Sequence, residues 1–272
     1  MTTTLRPTEP LQRADGGALS RAFQVCVNSR PVGTVHLSTH PEFGPAVARV
    51  DDLRIEEPDR GRGRGAVAAL AAEEVARGWG CRRVEIRVPA EAEGALRLAT
   101  ALGYVHRNRG LEKQLGPVAT ALPDGGRARP MTEAEFGPWW AANLVDYARQ
   151  WTLRGVPVEE ARAKAERDSD LPEGLATPHL RFLVLEHENT PVGTLWGAFT
   201  DTKAFVYGVE VDEAFRGHGH GRTLMLLAER EARAAGQETL GLNVFADNTP
   251  AERLYASLGY VPVGYSMYKS LL

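Results

Sequence analysis

Long apolar runs, signal sequences and cysteine clusters are all missing from this sequence of 272 residues. The N-terminal segment MTTTLRPTEPLQRADGG has no apolar core of signal-peptide length, and nowhere do about 18 apolar residues follow one another. We therefore expect a cytoplasmic protein with no membrane partner. The two cysteines, Cys26 and Cys81, form neither a disulfide framework nor a metal-site spacing, so we expect buried thiols and no metal.

Charge of one sign is not in excess either. The chain has 32 basic and 35 acidic residues and a net charge of −3, which gives no general attraction to nucleic acid. Nucleic acid is therefore not an expected partner. The surplus of arginine, alanine and glycine over lysine is typical of a GC-rich, actinobacterial-like genome. With 43% apolar and 25% charged residues, the composition is that of soluble globular domains.

What the sequence does contain is an internal repeat. RGRGRG at residues 60–65 recurs in spacing as RGHGHG at residues 216–221, an offset of 216 − 60 = 156. From Val211 to Val261, 20 residues are identical to those 156 places earlier, where average composition would give about four. The sequence PVGT also occurs twice, at Pro31 and at Pro191. The chain is therefore a tandem duplication.

The repeat predicts the domain organisation. A chain of 272 residues suits two domains, since domains cluster at about 100 to 150 residues. Residues 116–130 are rich in glycine and proline, which interrupt regular structure. We predict an N-terminal domain over residues 1–117, a linker and start of the second unit over 118–130, and a C-terminal domain over 131–272.

Apolar patterns in the second copy predict alternating helices and strands in the order β-α-α-β-β-β-α-β-α-β. A capping box beginning at Thr132 predicts the start of a helix pair. The first copy has far fewer residues ahead of its PVGT segment, so it should lack that pair. The later elements, after the glycine turn, are a helix, a strand, a helix and a strand over residues 222–235, 240–245, 250–258 and 261–269.

The glycine turn after the third of the consecutive strands is the strongest chemical signal. Glycines at a helix N-terminus expose backbone N–H groups to an anion and permit unusual dihedral angles. A tight turn can also need glycine without any ligand, and neither GxGxxG nor a P-loop is present. The residues expected around the anion are Arg216, Gly217, His218, Gly219, His220, Gly221 and Arg222.

Here the sequence resembles the GNAT superfamily of N-acetyltransferases, whose acyl-CoA loop reads [RQ]-x-x-G-x-[GA]. VDEAFRGHGHG at residues 211–221 matches that loop. The family's second motif, N-x-x-A-x-x-L-Y-x-x-x-G-[FY], is filled by Asn248, Ala251, Leu254, Tyr255, Gly259 and Tyr260. The resemblance implies an α/β fold of two tandem GNAT-like domains, each with a mixed, mainly antiparallel central sheet flanked by helices. Its organisation is similar to that of the mycothiol synthases.

The resemblance also implies acetyl-CoA as cosubstrate. The strand backbone at Val209 and Val211 should align the pantetheine arm, the glycine turn should hold the pyrophosphate, and Asn248 should bond the arm. Tyr255 should protonate the leaving thiolate, with packing against the sheet as its alternative role. The family does not fix the general base. Glu210, before the turn, is our candidate, with a solvated surface carboxylate as the alternative.

The family usually builds its acceptor pocket beside the helix pair. Aromatic residues there and on the neighbouring strands are the candidates, with core packing as the alternative role for at least half of the aromatic cluster. A pocket of this kind would suit an acceptor with an apolar portion. Strand alternation should turn Tyr207 and Glu210 to opposite faces. The pocket candidates are Trp139, Tyr147, Trp196 and Tyr207.

The first copy keeps the turn but loses the other positions. At the offset of 156, Ala92 stands in place of Asn248 and Ala99 in place of Tyr255, so this copy should not catalyse. A second CoA site would use Arg60, Gly61, Gly63, Arg64 and Gly65.

The sequence thus predicts acetyl transfer from acetyl-CoA to a primary amine of a small molecule or peptide. The amine should attack directly in a ternary complex on the second copy of a monomer or homodimer. The alternative class is a non-catalytic acyl-CoA-binding or sensing protein, against which the presence of Asn248 and Tyr255 argues.

Overall fold

The structure is a computed structural model and describes residues 3–117, 121–168, 170–171 and 173–271. Residues 118–120 of the predicted linker therefore lie outside the described residues. The chain divides into two compact units. The first comprises Met1–Asn108 and Gly264–Leu272, and the second comprises Arg109–Val263.

The first unit is a sheet with helices α1 (Arg64–Gly78) and α2 (Glu93–Ala101). Its strands from the first copy are β1 (Thr3–Pro7), β2 (Gln12–Arg13), β3 (Leu19–Val27), β4 (Arg30–His40), β5 (Gly44–Ile55) and β6 (Arg83–Pro89), and β13 (Val261–Ser270) joins them from the second copy. The strands run in the order β1-β3-β4-β5-β6-β13, and neighbours are antiparallel except for the parallel pair β5 and β6. In the described part of this unit no α-helix precedes β3, as expected for a copy without the first helix pair.

The helices of the second unit are α3 (Glu133–Leu153), α4 (Val158–Asp168), α5 (His220–Ala234) and α6 (Thr249–Ser257). Its strands are β7 (Val105–Gln114), β8 (Gly126–Pro130), β9 (Leu180–His187), β10 (Thr190–Phe199), β11 (Ala204–Val211) and β12 (Thr239–Phe245). They lie in the sheet order β7-β12-β11-β10-β9-β8. The predicted order of elements is observed along the second copy, from β8 to β13. It includes the capping box, in which the Thr132 N–H donates to Glu135 Oε2 at 2.9 Å.

Most of the last strand of each copy, from Arg109 in the first and from Gly264 in the second, belongs to the unit built from the other copy. β13 (Val261–Ser270) pairs antiparallel with β6, from Gly264 opposite Pro89 to Ser270 opposite Arg83. β7 begins at the matched position, 261 − 156 = 105, and lies beside β12. The compact units therefore differ from the contiguous repeats. Domain boundaries at residues 1–117 and 131–272 stay a prediction about where the repeats meet.

The core of the second unit lies between α5 and the sheet. Leu224, Leu227 and Ala228 on α5 are fully buried, at the spacing of one helix face. They pack with Leu195 of β10 and Leu240 of β12, which are also fully buried. Each such leucine stabilises the fold by about 1.5–3 kcal/mol. This core fixes the N-terminus of α5 at the glycine turn.

Candidate active site

The turn between β11 and α5 takes its shape from two glycines. Gly217 and Gly219 have φ angles of 83° and 86°, in the left-handed region that favours glycine. An added Cβ would meet no atom within 4 Å at either position, so backbone conformation rather than space requires glycine. Gly219 is the N-cap of α5, and the first N–H groups of the helix stay available to an anion.

Gly221 is needed for another reason. It does not have a positive φ, but an added Cβ would lie 3.2 Å from Leu254 Cδ2, which is tighter than ordinary packing. Glycine at this position therefore lets α5 approach α6. The unusual dihedral angles predicted for the turn therefore occur at Gly217 and Gly219 and not at Gly221.

The two arginines of the turn are anchored to the protein. Arg216 Nε donates to the Val211 carbonyl at 3.2 Å, and Arg222 Nη2 donates to Ser257 Oγ at 2.6 Å. Both guanidinium groups keep further N–H donors for a phosphate. Their contacts with a pyrophosphate stay predictions.

The two histidines of the turn differ in exposure. His218 is exposed, whereas His220 is buried and lies against His187, with ring centroids 5.2 Å apart. Burial, followed by the nearby His187 and His218, lowers the pKa of His220. His220 is therefore uncharged at neutral pH, and the structure gives it a packing role beside its predicted role at the phosphate.

The edge of β11 beside the turn is open. β11 pairs with β12 only at Phe205 opposite Gly241 and Val206 opposite Leu242. Beyond that point, within the described residues, Tyr207 to Val211 have no strand partner on this side. The predicted alignment of a pantetheine arm along Val209 and Val211 has the backbone edge that it needs.

A bulge in β11 changes which residues share a face. Trp196 lies opposite Gly208 and Gly197 opposite Val206, so Tyr207 is the extra residue. The Tyr207 and Trp196 rings are 4.9 Å apart, and Glu210 pairs with Thr194 on the same face. The expectation that Tyr207 and Glu210 point to opposite faces is therefore wrong, because simple alternation does not continue through a bulge.

A cavity of about 480 Å³ lies between α3 and the open part of β11. Three predicted groups meet there: the aromatic wall, the candidate base and part of the predicted CoA site. Its lining comprises Trp139, Asn143, Asp146, Arg149, Gln150, Thr194, Trp196, Gly208, Val209, Glu210, Val211, Arg216 and Asn248.

The sequence interpretation missed the polar wall of this cavity. Asn143, Asp146 and Gln150 follow Trp139 along α3 at steps of four, three and four residues, which is the spacing of one helix face. This pattern was the available signal. Gly208 was also missed, and a Cβ there would overlap the Trp196 indole.

Two of the predicted pocket aromatics do not line the cavity. The Tyr147 hydroxyl donates to Asp168 Oδ2 at 2.7 Å, which ties α3 to α4. Tyr207 is 46% exposed and packs on Trp196. Trp139 and Trp196 are the aromatic residues that form the wall, with ring centroids 6.4 Å apart.

Glu210 and Tyr255 have shifted proton affinities. Partial burial raises the pKa of Glu210, Asp146 and Asp212 raise it further, and Arg216 lowers it. Burial raises the pKa of the Tyr255 phenol to about 12, so the phenol keeps its proton at neutral pH. Tyr255 is 9% exposed and lies outside the cavity lining. These shifts suit a base and an acid.

The Asn248 side-chain amide uses its oxygen within the protein and keeps its NH₂ group for a ligand. Its Oδ1 accepts from the Ala251 N–H at 3.3 Å and caps α6, so the NH₂ group still has donors for a ligand. Asn248 and Tyr255 are 255 − 248 = 7 residues apart, which places them on the same side of α6.

The turn of the first copy has the same build. Gly61 and Gly63 have φ angles of 71° and 72°, and a Cβ on Gly65 would lie 3.3 Å from Leu98 Cδ2. Arg60 Nε donates to the Ile55 carbonyl at 2.8 Å, as Arg216 does to Val211.

The surroundings of that turn differ. Arg64, at the position of His220, is buried and paired with Asp59. Arg54 occupies the position of Glu210, since 210 − 156 = 54, and is paired with Asp52 at 2.9 Å. A carboxylate base is therefore missing at this position.

The site combines an open strand edge, a glycine turn at a helix N-terminus and a cavity that contains a carboxylate. The chain belongs to the acetyltransferase (GNAT) family, whose profile matches residues 3–104 and 141–260. It is therefore an N-acetyltransferase with a tandem GNAT fold. The family generally uses acetyl-CoA. Among the described residues, no group of three or more His, Cys, Asp or Glu could hold a metal, and no helix is long and apolar enough to cross a membrane.

The relatives include proteins that match most of this chain and proteins that match about half of it. A mycothiol acetyltransferase of Frankia casuarinae is 30% identical over 257 residues, covering 85% of this chain and 69% of that protein. An uncharacterized N-acetyltransferase, YdgE of Bacillus subtilis, is 31% identical over 150 residues, covering 52% of this chain and 95% of that protein. A GCN5-related N-acetyltransferase from Sphaerobacter thermophilus has a similar fold, with a TM-score of 0.57, 20% identity, and coverage of 92% of this chain and 80% of that chain.

Proposed function

We propose that the second unit transfers acetyl from acetyl-CoA to a primary amine of a small molecule or peptide. The observation that carries this proposal is the cavity, which joins the candidate base Glu210 to Val209, Val211, Arg216 and Asn248 of the candidate CoA site. A donor along the β11 edge and an acceptor under α3 would meet in it. Such an arrangement supports direct transfer in a ternary complex.

Each group of site residues would have its own role in binding or in proton transfer. Amides at the N-terminus of α5 bind the pyrophosphate, and the Asn248 amide donates to the pantetheine arm. Glu210 takes a proton from the acceptor ammonium. The neutral nitrogen attacks the thioester carbonyl carbon, and Tyr255 gives its proton to the sulfur as the carbon–sulfur bond breaks. The nitrogen then releases a second proton to solvent to become the amide, and the Tyr255 phenolate takes a proton back from solvent.

The lining of the cavity indicates the class of acceptor. Two indole walls and several amide and carboxylate groups suit a compact amine with both apolar and polar parts. The mycothiol acetyltransferase relatives make a small-molecule acceptor the first choice. A cytoplasmic location, a monomer or homodimer, and the absence of a metal and of nucleic-acid or membrane partners stay part of the proposal.

A thiol-release assay with acetyl-CoA and a panel of amines and peptides tests the function. We expect turnover with at least one primary amine, and Glu210→Gln should lower kcat by about 10²- to 10⁴-fold. Arg54→Gln, the matched change in the first copy, should leave it unchanged. Tight binding of acetyl-CoA without transfer to any amine would contradict the proposal and favour a sensing protein.

A further inference from the structure

Two carboxylates face the candidate acceptor cavity from different elements. Asp146 lies on α3 and Glu210 on β11, and both line the cavity. Asp146 Oδ1 is held by Arg149 at 2.5 Å, while Oδ2 has only Gln150 at 3.3 Å among the described residues. Within the same residues, no hydrogen bond or ion pair holds the Glu210 carboxylate.

These carboxylates act on each other. The charge of Asp146 raises the pKa of Glu210, after burial as the largest cause, and Asp212 has the same effect. The cations that face this region are Arg149 and Arg216. Arg149 is already engaged with Asp146 and its side chain is 62% exposed, and Arg216 belongs to the glycine turn. A cation between the two carboxylates would relieve their repulsion.

We infer that the cavity admits the acceptor as an ammonium ion held between Asp146 and Glu210, and that it selects amines with no carboxylate beside the nitrogen. Asp146 is the specificity-determining residue of this arrangement, because Glu210 is the candidate base and Asp146 is the second carboxylate that lines the cavity. The inference rests on the proposed function, since it assigns the acceptor class of the same cavity.

The ammonium passes one proton to Glu210, and the nitrogen that remains has a lone pair for the thioester carbon. After attack the nitrogen loses a second proton to become the amide, and this proton offsets the one that Tyr255 gives to the sulfur. An acceptor with a carboxylate on the adjacent carbon would bring a negative charge close to Asp146. At a few ångströms that repulsion is enough to change affinity by about tenfold.

Tyramine and tyrosine are suitable probes because they differ only in the carboxylate. Their binding to the complex of protein and CoA is measured by calorimetry, which does not require turnover. We expect tyramine to bind wild-type protein at least about tenfold more tightly than tyrosine. Asp146→Asn should reduce this preference to about twofold or less, mainly by weakening tyramine.

Asp212→Asn is the matched control. Asp212 also raises the pKa of Glu210 but does not line the cavity. Both variants should therefore move the acidic limb of the kcat/KM profile to lower pH, while only Asp146→Asn should raise the acceptor KM. Asp146 is exposed on α3, with its side chain 55% accessible, so the variant should fold.

The outcomes separate this inference from the proposed function. Equal effects of Asp146→Asn and Asp212→Asn on tyramine affinity would overturn it, as would wild-type protein that binds neither probe or prefers tyrosine. If Asp146→Asn weakens tyramine binding but wild-type protein acetylates no amine, ammonium recognition stands and the proposed transfer fails.

Discussion

The buried lysine–glutamate pairs of the two units offer a direct test of the strand exchange. Glu73 on α1 is 1% exposed and accepts from Lys269 Nζ on β13 at 2.7 Å. Glu229 on α5 is 1% exposed and accepts from Lys113 Nζ on β7 at 2.6 Å. The positions match, since 229 − 73 = 156 and 269 − 113 = 156. Each copy therefore supplies the lysine for the glutamate of the other.

Lys269→Met should destabilise the first unit strongly. Removing one partner of a buried pair leaves an uncompensated charge and costs about 3–5 kcal/mol. Lys269 is 21% exposed and Glu73 lies beside the Tyr104 hydroxyl, so we expect the lower end. A change of 1 kcal/mol shifts Tm by about 2–4 °C in chains of this size, which predicts a fall of roughly 6–12 °C in differential scanning calorimetry.

Charge exchange then reports which strand faces which helix. Glu73→Lys with Lys269→Glu restores an opposite pair in the first unit and should regain most of the Tm lost by Glu73→Lys alone. Glu73→Lys with Lys113→Glu brings two lysines together in one unit and two glutamates together in the other, so it should be worse than either single change. If the second combination is the one that recovers, each copy keeps its own last strand and our description of the units is wrong.

Three further predictions concern the site and its support. Tyr255→Phe should lower kcat by about 10²- to 10⁴-fold with acetyl-CoA affinity nearly unchanged; an unchanged chemical step would return Tyr255 to packing. Gly219→Val should abolish transfer in steady-state assays, whereas Gly63→Val should cost stability but leave turnover per folded molecule intact; loss of all transfer by folded Gly63→Val would make the first copy part of catalysis. Arg129 lowers the pKa of Glu135 to about 2. The Glu135 carboxylate therefore stabilises the α3 N-terminus above about pH 4.5, and this stabilisation is lost as pH falls toward 2. Tryptophan fluorescence should follow the loss in wild type but not in Glu135→Gln.

The elements of the second copy were predictable because their signals are local. The capping box at Thr132, the apolar face of α5 and the glycine turn each depend on neighbouring residues, and all three appear where predicted. The family resemblance added the roles of Asn248 and Tyr255, which no periodicity indicates.

Other features depend on long-range partners and carry no such signal. Both copies end in the same LGYV sequence before the last strand, so nothing local distinguishes exchange from pairing within one copy. The bulge at Tyr207 is a mismatch between β10 and β11, visible only once register is known. It determines that Gly208 and Glu210 share the face of Trp196, and therefore that the cavity contains a carboxylate.

Comparison of the two turns shows that the glycines retained in the first copy do not indicate a ligand site. Gly61 and Gly63 keep the left-handed backbone of the turn, and Gly65 keeps the approach of α1 to α2, so each is required by the fold of the first unit alone. Their presence therefore carries no information about ligand binding. Information about ligand binding comes from side chains that the backbone of the turn does not require. At two such positions Ala92 and Ala99 replace the predicted pantetheine-binding residue and the predicted acid of the second copy. A second CoA site would have to depend on backbone amides and arginines, so its affinity should fall with rising salt more steeply than that of the second unit.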